Sequence, residues 1–289
     1  MTLQQAQPRA SAALKRSPRV WEPPVWAIIA LAVAYLVALA ALIFLPGATL
    51  IDRLRALDGG ICAQLPTHSF YPAGQQLPLC ARNTGIYTGF ALGFLTLLGA
   101  GRTRAARLPR LPVALLLVGL VGMMALDGFN SLFLDLGLPH LYQPNNLLRL
   151  LTGLGAGVAM VAFIMPVTNG LLWRSEDLRP SFRSFGQLAV VAPLVVLTFL
   201  AVGSQIGWLL YPIAIVSSLG LMLALTLVNL VFVVSFSPLV GRFERWRQVF
   251  PVFTLAVALA AVELTLLFKV KLAALQALAI HLPPTAPLH

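Results

Sequence analysis

Cys62-Ala-Gln64-Leu-Pro66 and Leu77-Pro-Leu-Cys80-Ala-Arg82-Asn83-Thr-Gly85-Ile-Tyr87-Thr-Gly89-Phe-Ala-Leu-Gly93 frame the stretch around which the chain is organised. A polar loop rich in proline and glycine, holding both cysteines of the protein, runs straight into an apolar helix. Gly85, Gly89 and Gly93 recur every fourth residue and so share one helical face. With no Cβ on that face, a second helix backbone can approach closely, as helices packed in lipid do. Gly153, Gly155 and Gly157 place small residues on a later apolar run in the same way.

Outward from this stretch, 59% of the 289 residues are hydrophobic, 10% are charged and mean hydropathy is +0.88. Soluble domains carry about a quarter charged residues, so the class selected is all-α: a polytopic membrane helical bundle. Its apolar runs predict about seven transmembrane helices, at 25–46, 85–101, 112–133, 147–173, 187–210, 213–237 and 251–268. They make one transmembrane domain over 21–280, between a basic, disordered tail at 1–20 and a Pro-rich tail at 281–289. The run after Trp21 is too long for the core of a signal peptide, and no small-residue cleavage site follows it.

Fourteen of the twenty Lys and Arg residues lie at the N-terminus and in the loops after the second, fourth and sixth spans. The positive-inside bias then sets the N-terminus in the cytoplasm, with the 48–84 loop and the C-terminus outside. A multi-pass protein of a prokaryotic cytoplasmic (inner) membrane is expected. The net charge of +11 is explained by these loops. Nucleic acid is not an expected partner, because no basic stripe alternates with aromatic residues. The bilayer is one, with other membrane subunits or a second copy of the chain as candidates.

Cys62 and Cys80 enclose seventeen residues, among them His68 and Tyr71. On an oxidising face such a pair reads first as a disulfide staple, stabilising the loop by about 3 kcal/mol. A redox-active pair is a second reading, although no Cys-x-x-Cys spacing lowers a thiol pKa. A metal site is a third; it would need His68 or a carboxylate to complete four ligands.

Cys62-x-Gln64-x-Pro66, Ser69-Phe70, Leu77-Pro78-x-Cys80-x-Arg82 and Gly85-Ile-Tyr87-x-Gly89 resemble a family of prokaryotic membrane proteins known as domain of unknown function number twenty eighty-five. Asp127-Gly128, Asn145-Asn146-x-x-Arg149 and Thr152-Gly153 extend the resemblance over roughly residues 58–160. The family pattern reads Cys-His-Gln and Cys-x-Arg-Cys-x-Gly, whereas this chain has Ala63 and Asn83 at the His and the second Cys. If three Cys and one His bind a metal in the family, half of the ligands are missing here. The resemblance therefore implies no metal and no cofactor, and favours a disulfide or an inert remnant.

Charge inside the membrane is the other signal. Asp127 lies about fifteen residues into the third span, roughly 22 Å along it, and Glu263 well inside the seventh. Such groups cost roughly 2.5–3.5 kcal/mol on insertion scales and turn inward or pair. Arg82 and Arg149 lie at matching depth for Asp127, and an ion pair fixing the loop onto the helices is expected. Glu263 has no partner on its own helix and is either a packed, neutral carboxyl or a pathway residue. Asn130, Asn145 and Asn146 are expected to cap helix ends or bridge spans, and join Arg82, Asn83, Asp127, Arg149 and Glu263 in the candidate polar cluster.

No catalytic residue is assigned: the zinc-protease, nucleophile-elbow, phosphate-loop and dinucleotide signatures are missing. The expected function is a non-catalytic scaffold or accessory subunit with a disulfide-stapled outer loop. One alternative is a small transporter or channel using Asp127, Glu263, Arg82 and Arg149. A second is an outer-face thiol-redox or lipid-modifying enzyme.

Overall fold

The structure, a computed structural model, describes residues 49–277 together with Ile29, Ala32 and Gly47. Apart from Ile29 and Ala32, the expected 25–46 span lies outside the described residues, as do the tails at 1–20 and 281–289.

Eight helices follow in chain order among the described residues: α1 (Leu50–Asp58), α2 (Ala81–Gly99), α3 (Leu111–Asp135), α4 (Asn146–Leu172), α5 (Phe185–Ala189), α6 (Ala192–Gly203), α7 (Leu210–Ser235) and α8 (Trp246–Ala277). Five segments are long and apolar enough to cross a membrane: α3, α4, the α5–α6 pair, α7 with its preceding turn, and α8. They correspond to five of the seven expected spans. A sixth is α2, whose glycines and threonines dilute its apolar character; α4 and α7 enclose it.

Only 17% of the α3 window and 11% of the α5–α6 window are buried. Leu115, Val118, Met123, Leu126 and Phe129 on α3, with Val196, Leu197 and Leu200 on α6, present apolar side chains outward. Water would not tolerate so continuous an apolar surface, whereas a bilayer matches it. The helices are amphipathic in reverse, with polar side chains such as Asp127, Asn130, Ser131, Arg149 and Asn169 buried inside.

Glycine sets how close α2 and α4 come. Gly85 lies on the backbone of Gly153 and Leu154, and Gly157 on the carbonyl of Ile86. A Cβ on Gly157 would overlap that carbonyl and stand 2.6 Å from the Phe90 nitrogen. The obstacle is backbone, so no rotamer change relieves it. Gly157→Ala is expected to destabilise the protein by about 1–3 kcal/mol. Gly99→Ala, at a position with nothing within 4 Å of the added carbon, serves as the control and should be neutral or better. Unfolding of the two variants in detergent, compared with the parent protein, checks this.

The basic loops meet at one end of the bundle. There β1 (Ala105–Arg107) pairs in parallel with β2 (Asp177–Pro180). Asn169 of α4 donates to the carbonyls of Thr103 (3.0 Å) and Ala105 (2.9 Å) and accepts from the Trp173 indole (3.0 Å). The Arg104 guanidinium lies 3.8 Å over Trp173, and Arg174 pairs with Glu244 at 2.9 Å.

Three features differ from the sequence expectation. The 48–84 loop opens with α1, closed by a reciprocal cap: Asp52 N–H donates to Thr49 Oγ1 (3.2 Å) and Thr49 N–H to the Asp52 carboxylate (3.0 Å). The last span does not stop near Phe268 but continues to Ala277, because Lys271 finds acceptors beyond the bundle. The break between the fifth and sixth spans falls at Ser204–Leu209, with α7 already under way at Tyr211 and Pro212.

Candidate functional site

Residues 59–80 fold into a lid over the other end of the bundle, and its polar side chains pair with one another or with helix ends. Gln64, in the left-handed region at φ 58°, donates to the carbonyls of Arg55 (2.8 Å) and Pro78 (2.7 Å). Gln76 donates to the Gln64 carbonyl and to Ser69 Oγ, both at 2.9 Å, and Arg55 reaches the Gln76 carbonyl at 2.9 Å. Asn146, at the start of α4, holds the carbonyls of Thr67 (3.2 Å) and Ser69 (3.1 Å). Gln205, before α7, accepts from the Tyr71 N–H (3.0 Å). From α8, the Lys271 ammonium donates to the carbonyls of Cys62 (2.9 Å), Gly59 (3.3 Å) and Ala63 (3.4 Å). A short loop that buries backbone carbonyls must satisfy them, and here α1, α4 and α8 supply donors while the turn before α7 supplies an acceptor.

Beneath the lid lies the charge cluster. Of the two guanidinium groups that the sequence offers to Asp127, Arg82 makes the contact, at 2.6 Å, with the carboxylate 1% exposed. The same Arg82 nitrogen donates to the Asp127 carbonyl (3.1 Å) and Ser131 Oγ (3.0 Å). Tyr142, in the loop after α3, donates its hydroxyl to the other carboxylate oxygen at 2.9 Å. Arg149 instead donates to Asn146 Oδ1 (2.8 Å) and Ser131 Oγ (3.4 Å). Asn130 clasps the 141–142 backbone through three bonds, and Asn145 caps α4 by accepting from Leu148 N–H at 2.8 Å. His68 stands 3.3 Å from Asp135. Burial, with Arg149 and Arg82 nearby, holds its imidazole below the ordinary value, against the pull of Asp135.

The thiols adjoin this cluster, Cys80 standing two residues before Arg82. Cys62 is 2% exposed, Cys80 is half-buried, and both are free thiols in the structure. Cys80 N–H, at the N-cap of α2, donates to Cys62 Sγ at 3.2 Å. The Cys80 thiol also points at this sulfur and is the main cause that draws the Cys62 thiol below its ordinary value. The Gln64 N–H and the Asn83 side chain face it too and add to the shift, while burial opposes it. Cys80 is pushed up, because its own proton is the one shared. A sulfur at a helix N-terminus ringed by donors is the environment that favours thiolate.

Asp58, the last residue of α1, is fully buried nearby. Ser218 of α7 donates to Asp58 Oδ2 at 2.7 Å, and Oδ1 has no partner. Burial pushes this carboxyl up to about 7, against the Ser218 hydrogen bond.

Glu263 is exposed on α8 rather than packed in the core, and accepts from Asn229 of α7 at 3.0 Å. The sequence offered it no partner because the partner is on another helix. Asp58, Lys271, Ser131 and Tyr142 have no place in the candidate cluster read from sequence, and Ser218 reads there only as an isolated polar group. A carboxylate at the end of a short capped helix and a lysine near the end of a long one carry no local signature; only Thr49-x-x-Asp52 hinted at α1. Among the described residues no three His, Cys, Asp or Glu side chains converge as a metal would require.

Residues 62–163, from the first cysteine through most of α4, match the family of predicted membrane proteins DUF2085. An uncharacterized protein of Methanocaldococcus jannaschii is 32% identical over 121 residues, which is 42% of this chain and 72% of the archaeal one. No solved structure matches. The matched segment contains the lid, α2, the Asp127 carboxylate and the Arg149 guanidinium, and on these grounds the chain belongs to the DUF2085 family of predicted membrane proteins.

Proposed function

We propose that this protein is a non-catalytic scaffold or accessory subunit of the cytoplasmic (inner) membrane, whose lid faces outward and is stapled by a Cys62–Cys80 disulfide. The observation that carries the reading is the disposition of the polar groups. Gln64 and Asn146 tie the lid to helix ends, Asn130 ties the 141–142 loop to α3, Gln76 knits the lid together, and Arg82 with Asp127 joins α2 to α3. Groups committed in this way rigidify a surface rather than bind a solute. The outward apolar faces of α3 and α6 offer area to lipid or to neighbouring subunits. The basic end, with Arg102, Arg104, Arg107, Arg174 and Arg242 in its loops, supports a cytoplasmic placement for that end.

Transport along Asp127 and Glu263 has less support. Arg82 and Tyr142 close off Asp127, and the groove between α3, α4 and α6 is lined by Leu120, Met123, Leu151, Val158 and Val195. Proteoliposomes holding the full chain should leak protons and small solutes no faster than empty ones. A flux that disappears in Glu263→Gln would overturn the scaffold reading. In membranes isolated without reductant, both thiols should resist alkylation. After reduction, Cys80 should react with an impermeant maleimide from the outer side. Free thiols before reduction, or labelling from the inner side alone, would contradict the stapled outward lid.

A further inference from the structure

We propose that Cys62 and Cys80 form a thiol–disulfide exchange site on the lid, taking small thiols as partners and releasing Cys62 as the leaving sulfur. The inference rests on the reading above that the two sulfurs close a disulfide, and it adds that this disulfide is made to be opened. The two cysteines are not equivalent. Cys62 is 2% exposed, enclosed by Leu57, Leu79, Leu221 and Leu264, whereas Cys80 is half-buried and within reach of solvent. The buried sulfur is the one provided with donors. Cys80 N–H reaches it at 3.2 Å, and the Gln64 N–H and the Asn83 side chain face it. The Lys271 ammonium stands behind it on the Cys62 carbonyl at 2.9 Å.

The charged and titratable groups around the pair come from four elements. Asp58 at the end of α1 and Tyr87 on α2 lie on the inner side, Lys271 of α8 on the outer, and Arg82 of α2 and Arg149 of α4 beyond Cys80. Burial opposes negative charge on Cys62, and Cys62 in turn raises the Asp58 carboxyl. Ser218 donates to Asp58 Oδ2 at 2.7 Å.

The chemistry follows from this asymmetry. An external thiolate attacks Cys80 Sγ, the accessible sulfur, and forms a mixed disulfide. The Cys62–Cys80 bond breaks and its electron pair leaves on Cys62 Sγ, where the donors hold the thiolate. Stabilising the leaving thiolate speeds the exchange and favours the reduced protein. A second external thiolate attacks the outer sulfur of the mixed disulfide and is released with the first as an external disulfide. Cys80 then takes a proton from water. Two thiols have been oxidised, and the protein disulfide has been reduced by two electrons.

The test uses the full chain in detergent or lipid, equilibrated in glutathione buffers of graded thiol-to-disulfide ratio, quenched in acid and read by mass spectrometry. The protein disulfide should form and should be opened by reduced glutathione. Asn83→Ala, by removing a donor from the thiolate, should shift the equilibrium toward the disulfide by roughly tenfold. In Cys62→Ser, Cys80 should carry glutathione; in Cys80→Ser, Cys62 should not. A disulfide that forms but is untouched by glutathione, or whose equilibrium Asn83→Ala leaves unchanged, would overturn the exchange site and leave the staple standing. Glutathione found on Cys62 and not on Cys80 would overturn the assigned direction of attack. A pair that never bridges would overturn the staple itself, and the exchange site with it.

Discussion

Arg82→Ala should lower the unfolding free energy by about 3–5 kcal/mol, the range for removing one partner of a buried ion pair. The loss is larger than the pair is worth as a pair. Asp127 is 1% exposed; without the guanidinium its carboxylate keeps the Tyr142 hydroxyl and, among the described residues, has no second cation within 4 Å. The reverse change is milder, because the Arg82 side chain is 22% exposed and can turn toward water. Asp127→Asn also keeps one side-chain acceptor oxygen and leaves Arg82 its bond to the residue-127 carbonyl. An apolar pair, Arg82→Met with Asp127→Leu, should recover much of the stability that Arg82→Ala loses, since no charge is then left buried. Unfolding in mixed micelles, run as a double-mutant cycle, reads these values. Equal losses for Arg82→Ala and Asp127→Asn would mean that the charge does not organise this end of the bundle.

Asp58→Asn should raise stability at pH 8 by an amount on the order of 4 kcal/mol, with little effect at pH 4. The sign follows from the direction of the shift. In the folded protein the carboxyl holds its proton up to about 7, while in the unfolded chain it releases it near the ordinary carboxylate value. Between these two pH values the folded state binds the extra proton. Stability therefore falls as pH rises through that window and is level above it. Asparagine keeps the shape and an acceptor for Ser218 but cannot ionise, so the falling limb should vanish. His68, held low by burial, contributes a slope of opposite sign below its ordinary value, and it cancels when parent and variant are compared at each pH. Parallel pH profiles for the two proteins would show that Asp58 ionises as freely when folded as when unfolded.

The bundle was legible in the sequence because the signal for a spanning helix is local: some twenty apolar residues between charged loops. The glycines of α2 and α4 could be read as close-packing faces for the same reason, each face being set by a helical period. The pairing of Asp127 was legible as depth, though depth alone did not choose Arg82 over Arg149. The difference lies in Asn146 and Ser131, which take up Arg149. What the sequence hid is contact over long separations. Asp58 meets Ser218 across 160 residues, and Lys271 meets Cys62 across 209. Nothing in either neighbourhood marks them. The β1–β2 pair, three residues against four, is too short for any alternation to show. The α1 cap left only a faint hint, because Asp52 stands where the usual pattern has Glu or Gln.

Hydrogen exchange of the full chain in lipid nanodiscs tests the docked lid most directly. Amides such as Cys62, which donates to the Asp58 carbonyl (3.1 Å), and Leu77, which donates to the Phe70 carbonyl (3.0 Å), lie in its fold. Peptides covering 59–80 are expected to exchange as slowly as the first turns of α2, and to speed up together in Arg82→Ala. Exchange across 59–80 at the rate of an open loop, with α2 still protected, would contradict a lid held to the bundle.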